Sequence, residues 1–173
     1  MSDTNKSKII TFQSKLDEFY FLGFEQIVKP ASDFGKVWDN YFNASKAAAF
    51  GDNYDYVIWY YKNGEQMYFV GKIADSASKI SDGFSLVKFP ACEYLVVTHE
   101  WLKGDVNSYA EGILPTQNYA GIGQTHYYRE MTLPEGYVRY DGPDSPITQI
   151  EIENNSKDGY RFERWVPILK SEH

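Results

Sequence analysis

The chain has 173 residues, enough to bury a real core and, on size, to form one domain. Its 17 Lys and Arg against 24 Asp and Glu leave a net charge of -7, with no basic cluster, so direct nucleic-acid binding is not expected. A polar N-terminus with no signal-peptide core, no membrane-length apolar run and a single cysteine, Cys92, point to a cytoplasmic chain without disulfide or membrane contact.

In chain order, residues 1–18 read as a polar tail and 19–170 as one domain, with halves of about 19–80 and 81–170. Phe19 to Val28 is rich in aromatics and predicts a strand that Lys29-Pro30 closes. Ser32-Asp33 offers an N-cap, and Phe34, Val37, Trp38, Tyr41 and Phe42 recur at helical spacing as far as Ala49. Such a stripe suits packing on a sheet better than cofactor binding. Tyr54 to Tyr61 and Gln66 to Ile73 predict a β-hairpin around Asn63-Gly64.

A loop from Ala74 to Ser81 leads to a long strand, Phe84 to His99, which Pro90 interrupts with a bulge or an edge. Gly104-Asp105 opens a short helix to about Leu114, and the pattern from Thr116 to Gly136 fits no element. Tyr137 to Tyr140, Ile147 to Glu153 and the closing run Tyr160 to Ile168 are further strands. Each half thus reads strand, helix, strand, strand, which predicts an α+β fold of two β-α-β-β units.

The closing run carries the most specific chemistry. On a period of two, Glu163 shares a face with Arg161, Trp165 and Pro167, while Phe162, Val166 and Ile168 form an apolar opposite face. Glu163 is either a solvated position or the floor of a pocket for a flat cation. Tyr, Phe and Trp make up 17% of the chain, which suits binding clefts but also sheets in general.

The runs Gly71-Lys72-Ile73, Gly83 to Val97, Arg139-Tyr140-Asp141 and Phe162 to Ile168 resemble the GyrI-like small-molecule-binding domain. That domain also serves as the effector-binding module of AraC-type and MerR-type multidrug regulators and occurs in integron-cassette drug-binding proteins. The resemblance implies a pseudo-twofold pair of β-α-β-β units in antiparallel sheets, with helices on one side and a ligand cleft on the other. It places Glu163 at the cleft floor, pairing with lipophilic aromatic cations, with Trp165 beside it. Val138 stands where members often carry a glutamate, and Arg164 where an aliphatic residue is common. The tail before Phe19 is too short for a helix-turn-helix, so a stand-alone binder in drug sensing or sequestration is implied.

Other candidate cleft walls are Trp59, Tyr61, Tyr68, Tyr94 and Tyr140, each equally readable as core or surface. A bound cation would offset the cost of keeping a carboxylate among apolar rings. The resemblance leaves two alternatives: a hydrolase of strained cyclopropane compounds using Glu163 with a tyrosine such as Tyr140, and a protein inhibitor of the gyrase type. His99, His126 and His173 are scattered, so neither a metal nor a cofactor is expected, and Cys92 reads as a small core residue without a base. A protein partner or a second copy of the chain stays open.

Overall fold

The computed structural model describes residues 7–48, 55–74, 83–102, 132–155 and 159–171. In chain order these form β1 (Ser7–Leu16), β2 (Phe19–Ile27), α1 (Phe34–Ala48), β3 (Asp55–Lys62), β4 (Glu65–Ala74), β5 (Ser85–Phe89), β6 (Cys92–Leu102), β7 (Tyr137–Arg139), β8 (Gln149–Asn155) and β9 (Gly159–Lys170). All pairings are antiparallel, in the order β1-β6-β9-β8-β3-β4-β2-β5, with β7 alongside the end of β9. The described residues are thus an α+β arrangement of one sheet and one helix.

Two short connections force this sheet to roll. β1 and β2 are six strand spacings apart in the order, about 29 Å in a flat sheet at roughly 4.8 Å per spacing. Only Asp17 and Glu18 join them, and three residue steps span at most about 11 Å. β5 and β6 are equally far apart and equally tied, by Pro90-Ala91. The sheet must therefore curve until its ends approach. The inner face holds a core contributed from both ends, including Phe21, Phe89, Ile58, Phe69, Tyr94, Val96 and Ile150.

The helix covers the outer face. Alternation along β3 sends Tyr56, Ile58 and Tyr60 inward, while Val57 and Trp59 turn outward to meet Val37 and Tyr41 of α1 together with Tyr68 and Val70. The aromatic stripe read from the sequence is this packing: Phe34 stacks on Tyr68 at 4.2 Å, and Trp38 Nε1 donates to the Tyr68 hydroxyl at 2.8 Å.

The Asn-Gly hairpin forms as expected, with Asn63 and Gly64 at φ of 52° and 80° joining β3 to β4. Gly23 and Gly71 face each other across β2 and β4 so closely that a Cβ on Gly71 would lie 2.1 Å from the Leu22 carbonyl oxygen. Only glycine permits this approach.

Two expectations need correction. Ser7 to Leu16, read as part of a polar tail, is a strand pairing residue for residue with β6. The long strand is not one bulged element: Pro90-Ala91 is a crossover that sends β5 to β2 and β6 to β1 and β9. The expected helix from 104 to 114, the unassigned stretch up to 131 and most of the loop after Ala74 lie outside the described residues.

Candidate functional site

β9 is an interior strand, with β6 on one edge and β8 and β7 on the other, so both of its edges are paired. Val166 and Ile168 are buried as the sequence predicts, and the side chain of Phe162 lies outside the described residues. Glu163, however, is also buried, at 8% exposure. Its neighbours across the sheet are Thr98 on β6 and Ile152 on β8.

Inside the roll lies a cavity of about 290 Å³, at the lower end of small-molecule sites. Leu16, Phe19, Phe21, Tyr56, Ile58, Ile73, Ile150, Ile152, Glu163 and Trp165 line it, drawn from six strands. Among these described residues Glu163 carries the only charge; the rest are aliphatic or aromatic.

Thr98 and Trp165 both donate to the carboxylate. The Trp165 indole N–H donates to Glu163 Oε1 at 3.2 Å, and the buried Thr98 hydroxyl donates to Oε2 at 3.5 Å, the outer limit for such a bond. Trp165 is itself held edge-on by Tyr94, ring centroids 5.5 Å apart. Tyr56 meets Phe21 edge to face across the cavity wall, and Phe21 meets Phe69 in the same manner. The carboxylate thus accepts from an indole and a hydroxyl beside aromatic faces of the cavity wall.

Behind the cavity, β9 is secured by a second acid. Arg164 points to the outer face, where its guanidinium lies 3.6 Å from Glu151, its direct cross-strand neighbour on β8. Gln149 also donates to Glu151. Burial pushes the Glu151 carboxyl above its ordinary range, opposed by Arg164 and by the hydrogen bond from Gln149.

The residues singled out in the sequence separate into three places. Glu163 and Trp165 share the cavity, and Tyr94 stands directly behind Trp165 as a fully buried support, its phenol pushed up by burial. Trp59 and Tyr68 lie on the outer face beneath α1 and do not reach the cavity. Tyr140 borders a separate surface depression of about 450 Å³ with Lys15, Cys92, Tyr137 and Lys170, and its hydroxyl donates to the Asp144 carbonyl.

Sequence reasoning missed Tyr56, Ile58, Ile150, Ile152, Phe21 and Leu16 as lining residues and Thr98 as a donor. Strand alternation assigned a face to each of these except Leu16, which was read as tail, but not which face was inside. The Cys92 thiol is half-buried and pushed up by burial, as a packing cysteine would be. Among the described residues no group of three or more His, Cys, Asp or Glu is placed to hold a metal, and no helix is long and apolar enough to cross a membrane.

The profile of the integron-associated effector binding proteins matches residues 14–168. No curated protein matches in sequence. Among solved structures, SAV2435 bound to tetraphenylphosphonium superposes with a TM-score of 0.61 at 12% identity, covering 92% of this chain and 94% of that one. An integron cassette protein from the mobile metagenome of Vibrio cholerae gives 0.52 at 14%, covering 92% and 95%, and the C-terminal domain of EcmrR gives 0.54 at 14%, covering 94% and 98%. At these identities the structures establish a shared fold. The profile match spans most of the chain, which therefore belongs to the family of integron-associated effector binding proteins.

Proposed function

We propose that this member of the integron-associated effector binding family captures small lipophilic aromatic cations in the cavity of the rolled sheet, with Glu163 as the anionic anchor. The observation that carries this reading is the placement of one buried carboxylate, oriented by Trp165 and Thr98, in a wall that is otherwise apolar. A ring beside a cation contributes about 0.5 to 2 kcal/mol, so Trp165, Tyr56, Phe19 and Phe21 with one charge can hold such a ligand without a dense hydrogen-bond network. A site of that kind tolerates ligands of differing outline, which suits drug sensing or sequestration in the cytoplasm.

The strand order supports reading the sheet as a tandem repeat. Taken from either end it has the same plan: β8, β9, β6 and β1 on one side answer to β3, β4, β2 and β5 on the other, with the outermost strands exchanged between halves. Glu163 then lies near the seam, since β8 and β3 pair with each other and β9 adjoins β8. The likeness to SAV2435, solved with tetraphenylphosphonium, supports that compound as a first probe.

Titration with tetraphenylphosphonium, followed by tryptophan fluorescence, is the test. Saturable quenching is expected, with most of the amplitude lost in Trp165→Phe because that indole lines the cavity. A wild-type protein whose fluorescence and heat of mixing stay flat up to millimolar probe contradicts the reading.

A further inference from the structure

The cavity must communicate with solvent where its lining is exposed. Ile58, Ile150 and Phe21 are buried, whereas Ile73 is 43% exposed and Leu16, Phe19, Tyr56 and Trp165 are partly exposed. The mouth therefore includes Leu16, Phe19 and Ile73. Leu16 and Phe19 flank the two-residue turn that closes the roll, and that turn is Asp17-Glu18, both exposed. The connection that fixes the curvature of the sheet thus also sets two acids on the rim of the cavity.

The two acids are not equivalent. Glu18 forms an ion pair with Lys88 at 2.9 Å, and the same ammonium lies 5.7 Å from the ring centroid of Tyr20. Asp17 forms no ion pair among the described residues. One carboxylate of this turn is neutralised, and the other belongs to an exposed residue with no ion pair among the described residues.

We propose that Asp17 is a specificity-determining residue that acts on entry: it draws cations to the mouth and disfavours anions, without touching the bound ligand. The inference rests on the cation-binding reading of the cavity. A charge outside the contact zone alters association and its salt dependence, while contacts inside the cavity govern release. Lys88 opposes Asp17 by masking Glu18, so removing Lys88 has the reverse effect.

Stopped-flow mixing of the full chain with tetraphenylphosphonium separates these effects. At about 0.01 M salt, where the Debye length is about 30 Å, Asp17→Asn slows association roughly twofold, Asp17→Lys roughly fivefold, and Lys88→Gln speeds it roughly twofold. At about 1 M salt, where the Debye length is about 3 Å, all four proteins associate at one rate, and dissociation is unchanged throughout. Both positions are exposed surface sites, so the variants fold. Equal association rates at low salt, differences that persist at high salt, or effects confined to dissociation overturn the proposal. A wild-type protein that does not bind the probe overturns the cation-binding reading itself, so the two failures are distinguishable.

Discussion

Glu163→Gln weakens tetraphenylphosphonium binding at least tenfold, a loss of about 1.4 kcal/mol, while thermal unfolding stays essentially where it was. The substitution keeps the shape of the side chain and an oxygen that can still accept from Trp165 or Thr98, so the wall of the cavity is preserved. What is lost is the full negative charge, at a position 8% exposed where water screens poorly. Titration calorimetry on both proteins measures the difference. Equal affinities would mean that the aromatic and aliphatic wall alone holds the ligand, and the anchor role would be withdrawn.

The larger effect on stability belongs to the residue on the other side of the same strand. Arg164→Met destabilises the fold by about 3 kcal/mol, because removing one member of a buried ion pair leaves its partner's charge uncompensated. Glu151 and Arg164 retain 16% and 14% side-chain exposure, which places the expectation at the lower end of the range for such pairs. A double variant, Glu151→Met with Arg164→Met, recovers much of the loss, since neither charge of the pair then remains.

The deficit also has a defined pH dependence. Burial raises the folded-state pKa of Glu151, so its contribution is most favourable below the ordinary carboxylate range and is lost as pH rises through the folded value. Arg164 holds that value down, and its removal lets it climb further. The deficit of Arg164→Met relative to wild type is therefore largest at pH above the raised Glu151 value and shrinks as the pH falls through that value, where the folded variant takes up a proton at Glu151. Urea unfolding at several pH values measures this. A deficit independent of pH, or a double variant no better than the single one, would show that the pair does not govern the effect.

How far the sequence reached follows from what local patterns encode. Helical spacing in Phe34 to Phe42 and the Asn63-Gly64 turn identified α1 and the β3-β4 hairpin because those signals are complete within a few residues. β1 was missed because Ser7 to Leu16 alternates too weakly to announce a strand, and its pairing with β6 spans most of a hundred residues of sequence. Pro90 marked a break correctly, but nothing local says that the chain there crosses from one end of the sheet to the other.

The same limit separates the site residues. Glu163 and Trp165 stood out because an acid is unusual in such a strand, and period two placed both on one face. Trp59 and Tyr68 are as aromatic as Tyr56, but their one-residue offset in register places them beneath α1. The inner and outer faces differ only through the curvature that the connections Asp17-Glu18 and Pro90-Ala91 impose. Arg164, a departure from the usual aliphatic residue, has its explanation in Glu151, a partner that only the β8-β9 register brings alongside.

In the proposed cation site charge and shape together define the ligand, and one comparison isolates charge. Tetraphenylphosphonium and tetraphenylborate share size and outline and differ in sign. Calorimetric titration of the wild-type protein with each, at neutral pH and matched salt, is expected to give saturable binding of the phosphonium and at least a hundredfold weaker binding of the borate, a difference of about 2.7 kcal/mol or more. Equal affinity for the two ions, or a preference for the borate, would contradict the assignment of Glu163 as the anchor of a cation site.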